Sequence, residues 1–406
     1  MSHLDGQRDV NGNIMKPSIF FVTLSLARGG TERHLAELTP RLAARGWRVT
    51  IFCLDAPGDF ANAVQSAGVK VIAPRQGSAL RRVVGTAKLA ANLLKYRPEI
   101  IHCFLPAPYL IGGTLSVLTL RPIRLMSRRS QNKYMIKRPW AATIEKILHH
   151  GMTGILANSR AVAEELLRDE HVDPTRLGII YNGVDLAKFA APSDRAAVRA
   201  RFGLQREAFV AIMVANLIPY KGHFDLIEAF AVIKDQLPVA WKLLLAGRDE
   251  GLGAEIRALA RSKGLERHLE LLGARNDVEE LLQAADIGIL SSHEEGFSNA
   301  VIEAMAAGLP MVVTDVGGNA EAVRQGVDGI VVPRGAVAEL AQAIARLAND
   351  PDLRSKMGAS GRERARTRYS IQSCVDQYEA VYNGLISGTR LCDIAPDGCP
   401  QAEPLA

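Results

Sequence analysis

Ser291-Ser-His-Glu-Glu-Gly-Phe-Ser-Asn-Ala-Val-Ile-Glu-Ala-Met-Ala-Ala-Gly-Leu-Pro310 follows directly on an apolar run, Asp286 to Leu290. The run reads as a buried strand. A helix is expected to begin near Ser298 or Asn299, either of which can cap its first amides. Gly308 and Pro310 stop it. In open α/β sheets, the loops at strand C-termini are where ligands bind. Glu295 falls in this loop and Glu303 on the helix after it. Free amides at the helix start can receive an anion. Two carboxylates can accept hydrogen bonds from a ligand rich in hydroxyls, such as a sugar. Taken alone, the pair is better explained by a loop carboxylate and an exposed helix residue, and the surrounding G-F…E-A-M-A-A-G-x-P is what sharpens it.

Outward from this stretch, short apolar runs alternate with helix-period segments. Ser18–Leu24, Arg48–Leu54, Val69–Ala73, Glu99–Phe104, Ile123–Ser127 and Thr153–Ala157 are expected strands. In Thr31–Ala44, Leu35, Leu38 and Leu42 recur at spacings of three and four, as on one helix face. The alternation pauses near residues 183–205, where an Ala- and charge-rich stretch holds Pro192, and then restarts. Phe209–Val214, Trp241–Ala246, Leu269–Leu272, Asp286–Leu290, Met311–Thr314 and Ile330–Val332 form the second series. Strands alternating with helices imply parallel, doubly wound sheets, here two α/β domains joined near residue 190. Segments 336–348, 352–367 and 371–387 read as consecutive helices.

The chain has 406 residues, 48% of them hydrophobic and 23% charged, which excludes a disordered chain. Net charge is +6, unevenly spread. Residues 1–187 carry 25 basic and 14 acidic side chains; residues 188–406 carry 24 and 29. A basic first half suggests an acidic partner: nucleic acid, a phosphorylated ligand or an anionic membrane face. Cys53, Cys103, Cys374, Cys392 and Cys399 are scattered, without zinc or C-x-x-C spacing, and suit a reducing compartment. The first residues lack an apolar core, so no secretory signal is expected. The apolar stretch Phe104–Leu120 is broken by Pro106, Pro108 and Gly112-Gly113, and is read as a strand end plus a buried helix rather than a membrane span.

The segment quoted first resembles the E-x7-E motif of the retaining GT-B glycosyltransferases of family 4, also called group 1. Thr314-Asp-Val-Gly-Gly-Asn-Ala-Glu321 is similar to that family's G-G-x-x-E stretch. Leu272-Gly-Ala-Arg-Asn-Asp-Val278 resembles its base-side loop, and Ala215-Asn-Leu-Ile-Pro-Tyr-Lys221-Gly222 its phosphate-side loop. Ala27-Arg-Gly-Gly-Thr-Glu-Arg-His34 is similar to the G-G-x-E loop of the first domain. Ile179-Ile-Tyr-Asn-Gly-Val-Asp185 resembles the I-x-N-G-V-D segment at the domain boundary. These matches keep the family's order across about residues 18–370.

The resemblance implies a GT-B fold: two Rossmann-like, doubly wound parallel-sheet domains with a cleft between them. The expected layout is a disordered N-terminus (1–15), an acceptor-side domain (16–188), a linker (189–207), a nucleotide-sugar domain (208–369), a crossover helix returning to the first domain (370–387) and a disordered tail (388–406). Glu303 would hold ribose hydroxyls and Glu295 those of the transferred sugar. Gly296, Phe297, Ser298 and Asn299 would present amides to the sugar or diphosphate. Lys221 would neutralise the diphosphate as it leaves. Arg275, Asn276 and Asp277 would border the base, and Gly29-Gly30 would let the backbone approach donor or acceptor. Glu295 and Lys221 would be the catalytic pair, with no metal and no cofactor.

The chain also departs from the commonest family pattern. Asn216 stands where an arginine is usual, and Arg248 is a candidate replacement. Arg128 and Arg129 stand where many members place a histidine, so no catalytic histidine is assigned; His34 and His102 read as structural. No G-x-G-x-x-G opens a helix and there is no Walker A sequence. The only D-x-D, Asp350-Pro351-Asp352, suits helix capping better than metal binding. A glycosidase would need two carboxylates about 5–10 Å apart, but not Lys221 or a nucleotide-sized second domain. The other class weighed is a basic nucleic-acid-binding or non-catalytic binding protein. Residues 121–146 hold eight Lys or Arg, yet no nucleic-acid motif is visible.

The expected function is retaining transfer of a sugar from a nucleotide-sugar donor, UDP before GDP, to an acceptor hydroxyl. The acceptor expected is a lipid-linked saccharide or glycolipid of bacterial surface polysaccharide or lipopolysaccharide assembly. The expected setting is cytoplasmic, with peripheral contact to the anionic inner face of the cell membrane and no nucleic acid.

Overall fold

The computed structural model describes residues 17–74, 81–131, 139–190 and 194–394, leaving out the side chains of residues 81, 82 and 139. Two compact units are present: Met1–Asn182 with Ile371–Ala406, and Gly183–Ser370.

The first unit contains β1 Ser18–Thr23, α1 Gly30–Ala44, β2 Arg48–Cys53, α2 Ala61–Ser66, β3 Lys70–Ile72, α3 Arg81–Tyr96, β4 Ile100–Phe104, α4 Pro106–Leu118, β5 Ile123–Arg128, α5 Pro139–Gly151, β6 Gly154–Ala157, α6 Arg160–Glu170 and β7 Leu177–Ile179. The second contains α7 Arg195–Arg201, β8 Phe209–Val214, α8 His223–Ile233, β9 Trp241–Ala246, α9 Gly253–Ser262, β10 Leu269–Gly273, α10 Val278–Ala284, β11 Ile287–Leu290, α11 Asn299–Ala307, β12 Met311–Thr314, α12 Asn319–Ala322, β13 Gly329–Val332, α13 Val337–Asn349 and α14 Pro351–Arg368. The chain then returns to the first unit as α15 Ile371–Ile386 and α16 Leu391–Ile394.

Both sheets are parallel throughout, in the orders β3-β2-β1-β4-β5-β6-β7 and β10-β9-β8-β11-β12-β13. Strands covered on both faces need continuous apolar runs. β4, Ile-Ile-His-Cys-Phe, and β11, Ile-Gly-Ile-Leu, are buried at every position. In each sheet the order reverses once, between β1 and β4 and between β8 and β11. Neighbouring connections diverge to opposite faces there, and the strand ends open a crevice for ligands. The second switch point decides which loops meet: those after β8 and β11.

Helix α15 completes the first unit's core. Val375, Tyr378, Val381 and Tyr382 are buried, in one cluster with Phe21, Leu35, Leu38 and Phe104. Each such side chain contributes roughly 1.5–3 kcal/mol. Tyr382 Oη lies 2.9 Å from His102 Nδ1, and Tyr378 Oη lies 3.2 Å from His34 Nε2.

Three differences from the sequence reading stand out. The stretch 189–207 is not a bare linker: Asp194 caps α7 through the amides of Ala196 and Ala197, and α7 packs on α10. Residues 388–394 are not a disordered tail, because Leu391 of α16 is buried in the first unit's core. Strand β7 was missed because three residues give too little pattern. The disorder expected for residues 1–15 and 395–406 concerns segments outside the described residues. As expected, Asp350 acts as a cap, accepting from the Leu353 amide at 2.9 Å.

Candidate functional site

After β8 the chain makes a one-turn helix, Pro219–Lys221, and enters α8 through Gly222. Gly222 has φ of +73°, and a Cβ there would run into the Ser291 carbonyl. No other residue lets the β8 and β11 loops touch in this way. Ser291 Oγ then donates to the Gly222 carbonyl at 2.9 Å, and the His293 amide donates to the Tyr220 carbonyl at 2.7 Å.

This contact delivers Lys221 to Glu295. Nζ donates to Oε1 at 2.5 Å, with the two side chains only 18% and 10% exposed. Ser292 Oγ donates to the same oxygen at 2.7 Å. Oε2 of Glu295 has no partner among the described residues. A second bridge runs beside the first: His293 Nε2 lies 2.7 Å from Asp225 Oδ2 on the first turn of α8. Neither His293 nor Asp225 was singled out from sequence, and only their position within the two motif loops could have suggested them.

Helix α11 starts four residues after Glu295. Ser298 occupies its N-cap position without a side-chain cap bond, and Gly308, at φ +85°, ends it. Glu303 is buried, 8% exposed, rather than on a solvated helix face. Phe297 is also buried and packs on Tyr369, with ring centroids 5.2 Å apart. The Gly296 carbonyl accepts from the Gly318 amide at 2.7 Å, and a Cβ at Gly317 would strike the Glu295 carbonyl. So the β12 loop, Asp315–Gly318, braces the backbone that carries Glu295.

The N-termini of α8 and α11 both open at this switch point. Their amides carry partial positive charge and receive anions. His223, at the start of α8, is buried. Burial first, then the Lys221 charge, pulls its pKa down to about 4, so it adds no charge at neutral pH. The site therefore combines an ammonium and helix-end amides, which suit a phosphate, with carboxylates, which suit hydroxyls.

Other predicted site residues make different contacts. Arg248, the candidate replacement for the family's arginine, pairs with Glu250 at the surface. Asn216 accepts from the Arg248 amide at 3.1 Å and holds the two loops in register. Arg275 makes a two-pronged pair with Asp277, at 2.8 and 2.6 Å, and lies over the Phe202 ring. The side chain of Asn276 has no partner among the described residues.

Gly29 and Gly30 belong to the first unit and start α1. Gly29 is extended (φ −159°), and a Cβ there would overlap the Glu32 carboxylate. His102 is buried between Tyr382 and Ser127. Burial, with a smaller contribution from the Arg129 charge, lowers its pKa to about 3. It is a structural histidine. Among the described residues no group of three or more His, Cys, Asp or Glu could hold a metal, and no helix is long and apolar enough to cross a membrane.

Both halves of the chain match known families. Residues 194–364 match Glycosyl transferases group 1, and residues 28–188 match Glycosyltransferase Family 4. A D-inositol 3-phosphate glycosyltransferase from Streptomyces griseus is 27% identical over 410 residues, covering 89% of this chain and 86% of that protein. The UDP-Gal:alpha-D-GlcNAc-diphosphoundecaprenol alpha-1,3-galactosyltransferase of Escherichia coli is 29% identical over 225 residues, covering 55% and 58%. The chain spans about half the length of two other Streptomyces relatives that it matches. Among solved structures, Anabaena HepE in complex with UDP-glucose superimposes with a TM-score of 0.80 at 23% identity, covering 92% of this chain and 100% of that one. The fold is GT-B.

Proposed function

We propose that this chain, which belongs to the group 1 (family 4) glycosyltransferases, moves a sugar from a nucleotide-sugar donor to an acceptor hydroxyl with retention at the anomeric carbon. The observation that carries the reading is the Lys221–Glu295 contact at the second unit's switch point, between two helix N-termini. On donor binding, the Lys221 ammonium passes from Glu295 to the diphosphate. Glu295 is released to accept from hydroxyls of the transferred sugar, and Glu303 takes the ribose. Negative charge growing on the leaving diphosphate is met by Lys221 and the amides of α8 and α11. The acceptor proton leaves to the departing phosphate oxygen, so neither a side-chain nucleophile nor a metal is required.

UDP is the first choice of nucleotide and GDP the second; the UDP-glucose complex of the fold relative supports that order. A lipid-linked saccharide acceptor has support from the galactosyltransferase relative. The first unit offers a matching surface. Val83 and Leu94 on α3, Leu118 and Leu120 at the end of α4, and Trp140 and Ile147 on α5 are exposed, with Lys95 and Arg97 close by in sequence. Apolar wedges beside basic residues suit peripheral contact with an anionic membrane. The test is nucleotide release across a panel of UDP- and GDP-sugars. Release from none of them, with a lipid-linked acceptor present, would remove the reading.

A further inference from the structure

Two adjacent arginines at the end of β5 differ in their surroundings. Arg128 sits in a buried ion cluster, its Nη2 at 2.8 Å from both Glu145 Oε2 and Glu170 Oε2. Arg129 forms no ion pair among the described residues. Its Nη2 donates to Asn182 Oδ1 at 2.7 Å, while Nη1 is buried without a partner. Burial weighs against the Arg129 charge, and the Tyr378 hydroxyl and then the Glu32 carboxylate, on the first turn of α1, act to keep it.

Two further polar atoms nearby are in the same condition. Asn158, after β6, is 2% exposed; its Nδ2 donates to the Arg129 carbonyl at 3.3 Å, and its Oδ1 is buried and unpartnered. His34 uses Nε2 on Tyr378, and its Nδ1 is buried and unpartnered. Buried polar atoms nearly always find partners, because leaving one unpaired is costly. Here a guanidinium donor and an amide acceptor stand unpaired at the C-terminal edge of a parallel sheet, where ligands bind. The positive end of α1, a 15-residue helix without a side-chain cap bond, opens at the same edge. A guanidinium with an unpartnered Nη1 and no ion pair among the described residues, beside a helix N-terminus, favours a ligand group with more than one negative charge.

We infer that Arg129 receives a phosphate group carried by the acceptor, and that Asn158 Oδ1 accepts from a hydroxyl beside it. This deepens the transferase reading and rests on it, naming the acceptor as a phosphorylated sugar rather than a neutral one. Arg129 is then a specificity-determining residue.

The test is calorimetry on the full chain saturated with UDP, titrated with N-acetylglucosamine 1-phosphate or with neutral N-acetylglucosamine. The wild type should prefer the phosphate ester by about 10- to 150-fold, the range of a charge-assisted hydrogen bond. Arg129→Gln should erase that preference, and Arg129→Lys should keep part of it. UDP affinity should be the same in all three proteins. Arg129→Gln should also leave the melting temperature undiminished, since it removes a partly buried charge that has no ion pair among the described residues. A preference that survives Arg129→Gln, or is missing from the wild type, overturns the inference. So does a loss of UDP affinity in Arg129→Gln, which would assign the anion to the donor, or a fall in melting temperature, which would make Arg129 structural. A wild-type chain that binds no nucleotide removes the transferase reading and this inference with it.

Discussion

Replacing Glu295 by glutamine removes one charge and keeps the side chain's shape. In the free protein that charge holds Lys221 at 2.5 Å in a largely buried pair. A diphosphate must compete with Glu295 for the ammonium. A hydrogen bond to a charged group contributes about 1.5–3 kcal/mol net. The Lys221 ammonium is charged in both proteins, so its bond to the glutamine carbonyl stays near about 1.5, while the bond to the carboxylate, charged on both sides, lies near about 3. Freeing Lys221 is therefore up to about 1.5 kcal/mol easier in Glu295→Gln. Free UDP should bind the variant up to about 10-fold more tightly. Turnover should fall, by about 10- to 150-fold, because the glutamate no longer holds the sugar where positive charge develops. Calorimetry gives the first quantity and nucleotide release the second. Lys221→Met is the control and should lose UDP affinity. If Glu295→Gln weakens UDP binding as much as Lys221→Met does, the competition between carboxylate and diphosphate is wrong.

Glu303→Gln should weaken free nucleotide binding and raise KM more than it lowers kcat, because the ribose does not change during the reaction; an unchanged nucleotide affinity would remove Glu303 from the donor site. EDTA should leave turnover nearly intact, and a strict requirement for Mg²⁺ or Mn²⁺ would show that Lys221 and the helix amides do not carry the diphosphate. Lowering pH should destabilise the fold. The unfolded His102 takes a proton near pH 6.5, whereas the buried one resists until about 3, so each pH unit between costs about 1.4 kcal/mol. Urea unfolding at pH 7 and pH 5 should show a slope at least this steep, because His34 and His223 are also held below their ordinary values, and His102→Gln should remove only the His102 share of it. Anionic vesicles should bind the protein at low salt and release it at high salt, with Trp140→Ala weakening capture; absence of co-sedimentation at low salt would end the membrane reading.

The two parallel sheets were legible because buried strands are continuous apolar runs and helices repeat at three and four. Short or compositionally dull elements were not. Leu177–Ile179 is three residues long, and Arg-Ala-Ala-Val-Arg-Ala-Arg in α7 shows little apolar period. At the candidate site, Lys221, Glu295 and Glu303 lie in local strand–loop–helix patterns, so each could be named from a few neighbours. Pairings between loops could not. The partner of His293 lies 68 positions away and that of Lys221 lies 74 away, and nothing in either loop specifies the other. Arg248 shows the limit of reading residue type alone. Its charge suits a diphosphate, and nothing in the residue type foretells its pairing with Glu250, two positions later.

The chain leaves the first unit at Asn182 and re-enters it at Ile371. During synthesis, the second unit has its full sequence before the first does. Until α15 emerges from the ribosome, Phe21, Leu35 and His102 face a groove where Tyr378 and Tyr382 belong. That groove, apolar apart from the two histidines, must wait through the translation of another whole domain, at about 5–20 residues per second. The first unit is thus the late-maturing half and the one exposed to chaperones and proteases. A stop codon just before Ile371 would spare every residue of the donor loops and still remove the helix that closes the first unit's core.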